Sequence, residues 1–157
     1  MRLSESLNNA FSEQVTHEMR NVLIYREMQS YLENLQLVNL AKYFENQADH
    51  ENYHAKMIID YVNSRIGGAI VIKSIDAPNT FSSTDDLVDS YVKAEEDTTK
   101  AFEDIYRLAS DTNSYIDLPF LLGMLNEQVE EEDSALRLSV QMKNVKDIYL
   151  FDVTYND

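Results

Sequence analysis

The chain has 157 residues, a hydrophobic fraction of 44%, a charged fraction of 26% and a formal net charge of −15, a composition typical of one soluble globular domain spanning residues 1–157. The negative charge argues against a nucleic-acid partner, because phosphate binding requires clustered lysine and arginine. Without cysteine, the chain has neither a disulfide framework nor a thiolate metal site.

Long helices dominate the predicted structure, since three glycines and two prolines leave few interruptions. Apolar residues at steps of three and four predict a first helix over about 6–33 and a second over about 36–64. The run RIGG then ends the second helix, because Gly67 and Gly68 supply its C-terminal stop.

Residues 69–82 form a long predicted connection. The run AIVIKSI is rich enough in β-branched residues to be extended, and DAPN is typical of a turn. A connection of this length can cross the whole bundle, so the next helix need not be an antiparallel neighbour of the second.

A third helix is predicted over about 84–111, with Ser83 or Thr84 as its N-cap, and a fourth over about 115–144. Pro119 and Gly123 lie inside the start of the fourth helix, which predicts a kink or a delayed start. In the remaining segment, the run IYLFDV is apolar enough to dock on the bundle.

Each predicted helix has a carboxylate near its midpoint that interrupts its apolar stripe. The four residues are Glu18, Glu51, Glu95 and Glu131. Each lies about two residues from its helix midpoint, or roughly 3 Å along the axis, so all four share one level whichever way the helices run. Carboxylates crowded together in a core need a counter-charge, and a pair of divalent metal ions supplies it.

His54 follows Glu51 by three residues, so both side chains lie on one helix face and reach one ion together. Oxygen-rich ligation with one imidazole suits Fe(II), with Mn or Zn as competitors. Taken singly these signals have ordinary explanations: an E-x-x-H pair is usually a solvated helix face, and a lone Glu on an apolar stripe is usually a boundary residue. The coincidence of four such residues favours metal.

The chain resembles the haem-free bacterial-type ferritins in four segments. The matching segments are LNNAFSEQVTHEMRNVLIYREM, NLAKYFENQADHENYHAKMIIDYVNSRIGG, AEEDTTKAFEDIYRLA and LNEQVEEED, which lie within residues 5–144. This resemblance implies an all-α fold, a four-helix bundle of ferritin-like topology, with a long crossover between helices 2 and 3 and a truncated C-terminal segment.

The resemblance also implies a di-iron centre. Glu18, Glu51 and His54 would bind the first iron, and Glu51, Glu95 and Glu131 the second. Tyr25 would be the tyrosine beside the centre, although the residue pattern alone favours a core aromatic, and Gln128 would orient water or dioxygen near the second iron.

The family's third iron site is implied as well. Its positions here are His50, Glu127, Glu130 and Glu131. His50 stands where that pattern has a glutamate, and a neutral imidazole should weaken Fe(III) binding there. The acidic run around Glu130 is equally consistent with a solvated face.

Several differences from related proteins indicate which ferritin subfamily the chain resembles. Asn52 follows Glu51 where haem-containing bacterioferritins have a methionine, so we expect no haem. The fourth helix has no second E-x-x-H, which argues against bacterioferritin and rubrerythrin sites, and the lack of cysteine argues against an iron–sulfur domain. Only residues 153–157 follow the run YLFD, too few for the family's usual fifth helix, so either the fourfold openings are wide or the assembly differs from the usual cage.

The resemblance implies iron storage with ferroxidase activity: iron ions and dioxygen or peroxide as partners, and a homo-oligomer, a 24-subunit cage. A di-iron oxidase or peroxide-detoxifying protein without mineral storage is the alternative, and a metal-free interaction module is a third hypothesis. The polar residues 1–10 lack a secretory signal, and no stretch approaches the ~20 apolar residues of a membrane span, so we expect a cytoplasmic protein without a membrane partner.

Overall fold

The structure is a computed structural model that describes residues 2–76 and 80–156. Five helices account for most of these residues, and no strand is assigned among them. The helices are α1 (Glu5–Asn34), α2 (Val38–Ser64), α3 (Thr84–Asp111), α4 (Leu118–Asn144) and α5 (Ile148–Thr154). None of the helices in the described ranges is at once long and apolar enough to cross a membrane.

The helix ends follow local chemistry. Ser4 caps α1 and Ser83 caps α3, each hydroxyl accepting a hydrogen bond from a backbone N–H of the first turn. The α2 helix begins two residues later than predicted, after Gln36, which has a left-handed φ of 63°. The α4 helix begins at Leu118, three residues later than predicted, because Pro119 lacks an N–H and fits only in a first turn.

Two helix pairs form the bundle. The α1 helix packs along α2, α3 packs along α4, and α1 also contacts α3. The four-helix bundle fold and its crossover between α2 and α3 are therefore as the sequence predicted. At the end of α2, Gly67 has a φ of +80°, and a Cβ on Gly68 would lie 2.1 Å from the Val62 carbonyl oxygen, so glycine is needed at both places.

The crossover begins by running along α1. Asn8, Ser12 and Thr16 recur every four residues on α1, and their side-chain oxygens accept hydrogen bonds from the backbone N–H groups of residues 69, 71 and 73. This alternation confirms an extended chain over the run AIVIKSI, although it pairs with a helix rather than with a strand. Most of the predicted DAPN turn lies outside the described residues.

A short fifth helix docks the C-terminus on the bundle. The prediction that too few residues remain for it was wrong, because α5 begins within the run IYLFDV at Ile148. Asp147 caps its N-terminus, and the Asp152 carboxylate accepts a hydrogen bond of 2.8 Å from the Leu40 N–H in the first turn of α2. Since α2 has no side-chain cap of its own, Asp152 satisfies an otherwise free donor.

Candidate metal centre

Four carboxylates meet at mid-height in the bundle, one from each long helix. Glu18 on α1, Glu51 on α2 and Glu95 on α3 have no exposed surface, and Glu131 on α4 is 9% exposed. His54, one turn after Glu51, is also fully buried. Each of these residues occupies a position that the apolar stripe of its helix turns inward, so the sequence pattern itself places them in the core.

This polar layer lies between two apolar clusters. One cluster includes Tyr25, Phe44 and Tyr91, and the other includes Phe11 and Phe102. The carboxylates are therefore walled off from water on both sides, and burial without a partner costs each charged group several kcal/mol by order of magnitude.

Three of the residues form a compact group that could hold a cation, which we call the inner group: Glu18, Glu51 and His54. Each offers one ligand atom, and these atoms all lie within 4.8 Å of one another. Glu18 Oε2, both Glu51 carboxylate oxygens and His54 Nδ1 are buried without a hydrogen-bond partner. Buried oxygen and imidazole atoms left unpaired in this way fit a divalent cation such as Fe(II).

Burial raises the pKa of three of the four carboxylates, Glu18, Glu51 and Glu95. It raises the pKa of Glu18 well above its usual range, with the neighbouring Glu51 as the next cause. It raises the pKa of Glu51 to about 8, and the charges of Glu95 and Glu131 add to the rise. Burial also raises the pKa of Glu95 to about 7, although the Tyr25 hydrogen bond opposes that shift. These raised pKa values favour proton binding by the three carboxylates near neutral pH, and a bound dication would displace those protons.

The other two carboxylates are held by other side chains. Glu95 Oε1 accepts a hydrogen bond of 2.5 Å from the Tyr25 hydroxyl, and Glu95 Oε2 accepts one of 3.2 Å from Gln128 Nε2. Glu131 Oε1 lies 2.9 Å from His50 Nδ1. Among the described residues, the predicted second set of Glu51, Glu95 and Glu131 does not form a group as compact as the inner one.

A second compact group, the rim group, consists of His50, His54 and Glu127. His54 Nε2 lies 2.9 Å from Glu127 Oε2, and the two imidazole rings are 4.3 Å apart. The His50 pKa is raised, chiefly by its contact with Glu131. The rim group contains two residues of the predicted third iron site, His50 and Glu127. Glu130, which was also predicted for that site, is exposed and belongs to neither group.

Four further polar residues are linked to this region by hydrogen bonds, and none of them was predicted from the sequence to have a role. Gln14 Nε2 donates a 2.6 Å hydrogen bond to Glu18 Oε1. Asn21 Nδ2 donates to the Thr98 hydroxyl at 2.9 Å, and His17 Nε2 lies at the same distance from that hydroxyl. Gln14, Asn21 and Thr98 interrupt apolar stripes just as the carboxylates do, so the same signal would have found them.

Comparisons with known proteins agree with this architecture. The family model described as Ferritin-like domain matches residues 8–145. The chain is similar to a bacterial non-heme ferritin of Staphylococcus haemolyticus, with 34% identity over 133 residues that cover 84% of this chain and 80% of the relative. The corresponding protein of Staphylococcus aureus is 30% identical over 131 residues, 83% of this chain and 78% of that one.

Solved structures show the same fold. An open pore ferritin from the archaeon Archaeoglobus fulgidus matches with a TM-score of 0.91 at 24% identity, covering 96% of this chain and 94% of that chain. A PmFTN variant soaked in iron also gives a TM-score of 0.91, at 23% identity, covering 98% of this chain and 100% of that chain.

Proposed function

Because this chain belongs to the ferritin family, we propose that it stores iron and that it oxidises Fe(II) to Fe(III) with dioxygen at the centre of its bundle. The observation that carries this proposal is the inner group, in which Glu18 Oε2, both Glu51 oxygens and His54 Nδ1 are buried without a hydrogen-bond partner. A protein that only needed a packed core would gain stability by replacing these groups with apolar side chains.

In this proposal two Fe(II) ions are the substrate and the four helices supply their ligands. Glu18 and His54 bind the first ion, Glu95 and Glu131 bind the second, and Glu51 bridges the two. Glu51 suits the bridge because both of its oxygens are buried and unpaired. Glu131 would exchange its present partner, His50, for the second ion. Glu95 would bind that ion through Oε2, while its Oε1 keeps the hydrogen bond from Tyr25.

The reaction balances with two irons and one dioxygen. Each Fe(II) loses one electron, and dioxygen takes both with two protons to give hydrogen peroxide. The apolar clusters on both sides exclude bulk water and so strengthen the electrostatic stabilisation of the Fe(III) products. Gln128, whose Nε2 already donates to Glu95, is placed to orient water or dioxygen beside the second ion.

Storage requires a shell, and we propose a homo-oligomeric cage of the 24-subunit type in which hydrolysed Fe(III) collects as a mineral. A net charge of −15 per chain would favour the gathering of iron cations.

A third iron site at the rim group extends the proposal. His50 and Glu127 would bind this ion together with Glu130 and Glu131. With an imidazole in place of a carboxylate, the site would hold Fe(II) in transit better than it would retain Fe(III).

The proposal is tested by mixing the purified protein with Fe(II) in air and following ferric absorbance and dioxygen uptake. The wild-type chain should oxidise two Fe(II) per subunit in a fast phase and then accumulate iron within an assembly that size-exclusion chromatography isolates. Glu18→Ala and Glu51→Ala should abolish the fast phase. Unchanged rates in both variants would contradict the assignment.

A further inference from the structure

Four tyrosines form a continuous line from the candidate centre to the C-terminal end of the chain. Their ring centroids are separated by 5.3 Å between Tyr25 and Tyr91, 6.0 Å between Tyr91 and Tyr43, and 5.9 Å between Tyr43 and Tyr155. All three contacts are edge-to-face, within the range at which aromatic rings touch. Because electron transfer between side chains weakens steeply with distance, rings in contact are suited to pass an electron from one to the next.

The two ends of this line differ in their surroundings. Tyr25 and Tyr91 have no exposed surface and Tyr43 is 4% exposed, whereas Tyr155, just beyond α5, is half-buried at the surface. At the inner end, the Tyr25 hydroxyl donates a 2.5 Å hydrogen bond to Glu95. The line therefore joins a proposed iron ligand to the outside of the chain.

The hydroxyl groups carry a cost that packing alone does not explain. Phe44 contacts Tyr25, Tyr43 and Tyr91, so phenylalanine is accepted in the same cluster. A buried hydroxyl must find a partner, and here the Tyr43 and Tyr91 hydroxyls lie 2.9 Å apart, which satisfies both. Tyrosine differs from phenylalanine in losing an electron readily when its phenolic proton has a place to go.

We propose that Tyr25, Tyr91, Tyr43 and Tyr155 form a tyrosine relay that carries single electrons from the surface beside α5 to the metal centre. The use of these electrons rests on the proposed function. Dioxygen needs four electrons and four protons to become two waters, and two Fe(II) ions supply only two of the electrons. The relay supplies the other two, one at a time, from a one-electron reductant in solution, so that O₂ + 2 Fe(II) + 2 e⁻ + 4 H⁺ gives 2 Fe(III) + 2 H₂O.

Protons are accounted for at each tyrosine. When Tyr25 gives its electron to the centre, its phenolic proton moves to Glu95 Oε1, and it returns when Tyr91 refills Tyr25. Tyr43 then refills Tyr91, and the phenolic protons of both residues stay within their 2.9 Å hydrogen bond. Tyr155 refills Tyr43 and releases its own proton to solvent, because it is half-buried at the surface. The external reductant restores Tyr155 with an electron and a proton from solvent.

A photochemical experiment tests the relay without iron. Because the chain has no cysteine, Asn156→Cys provides a single thiol beside Tyr155 for a covalent ruthenium photo-oxidant. A laser flash on the full-length, metal-free protein oxidises Tyr155, and electron paramagnetic resonance should then detect a long-lived radical on a buried tyrosine that ascorbate quenches slowly.

Tyr43→Phe in the labelled protein should lower the yield of the buried radical roughly tenfold or more, because phenylalanine keeps the ring but raises the barrier to its oxidation. The radical should then remain on Tyr155, where ascorbate quenches it quickly. Tyr31→Phe is the matched control, since Tyr31 is a partly buried tyrosine whose ring contact is with Phe81. A cluster that serves only packing would show no difference between the two variants.

Aerobic Fe(II) oxidation by the unlabelled protein separates failure of the relay from failure of the proposed function. A buried radical that needs Tyr43, in a protein that does not oxidise Fe(II), would uphold the relay and overturn the ferroxidase. Fast Fe(II) oxidation in a protein whose buried-radical yield is the same with and without the Tyr43 hydroxyl, or whose radical never leaves Tyr155, would uphold the ferroxidase and overturn the relay.

Discussion

The inner group and the rim group contain the same kinds of side chain, share His54, and yet differ in their surroundings. Glu18 and Glu51 of the inner group are fully buried, and their unpaired oxygens face one another. In the rim group, the side chains of His50 and Glu127 are 39% and 44% exposed, and each lies 2.9 Å from an oppositely chargeable partner.

This contrast shows that residue type alone does not identify a cation site. The rim carboxylate, Glu127, is partly exposed and can pair with imidazole or water at little cost. The inner carboxylates are fully buried, and the shortest imidazole contact within that group, between Glu51 Oε2 and His54 Nδ1, is 3.8 Å long. A dication therefore stabilises the inner group more than the rim group.

The largest effect should be on metal affinity. Glu51→Gln keeps the shape of the side chain but removes the bridging charge, so anaerobic calorimetry should show Fe(II) binding weakened by at least ~100-fold. Glu127→Gln should cost only about 10-fold, through the orientation of His54. Glu103→Gln, at an exposed position of α3 that is in neither group, is the control and should bind as the wild type does. Equal losses in all three variants would remove the distinction between the groups.

The second-largest effect should be the change in thermal stability when Fe(II) binds. Anaerobic Fe(II) at one hundred times its Kd should raise the Tm by about 5–10 °C, because ligand that binds only the folded chain stabilises it. Glu18→Ala should lose this rise, and Glu103→Gln should keep it. A rise of the same size in the Glu18 variant would mean that the metal binds outside the inner group.

The smallest effect concerns pH. The folded pKa values of Glu51 and Glu95 are about 8 and about 7, raised chiefly by burial from a value near 4.5. The folded chain therefore binds more protons than the unfolded chain between these values, and its free energy of unfolding falls as pH rises from about 5 to about 8.

Scanning calorimetry of the metal-free protein should show this as a Tm that drops by about 5 °C over that pH range. Glu51→Gln should flatten the drop, since the amide does not titrate, and saturating metal should oppose it, since metal competes with protons. A metal-free Tm that climbs toward pH 8 would contradict the raised pKa values.

The fold was largely predictable because periodicity and turn residues are local signals. Such signals predicted the four long helices and the extended run after Gly68. They also predicted the late start of α4, which Pro119 in its first turn explains. The α5 helix did not, because a seven-residue helix is unstable alone and depends on tertiary contacts such as that of Asp152 with Leu40.

The candidate site was predictable in position and less so in contacts. Burial of the four midpoint carboxylates followed from their places on apolar stripes. The hydrogen bond between Tyr25 and Glu95, the contact between His50 and Glu131, and the line of tyrosines did not, because each joins helices whose relative rotation a single sequence does not encode.

The most direct test is a crystal soaked in Fe(II), with anomalous difference maps recorded at the iron edge. If the proposed centre is correct, the maps will show two iron peaks a few ångströms apart in the mid-bundle layer. One peak should lie among Glu18, Glu51 and His54, and the other among Glu51, Glu95 and Glu131. Iron confined to the protein surface, with those carboxylates still unliganded in an iron-saturated crystal, would contradict it.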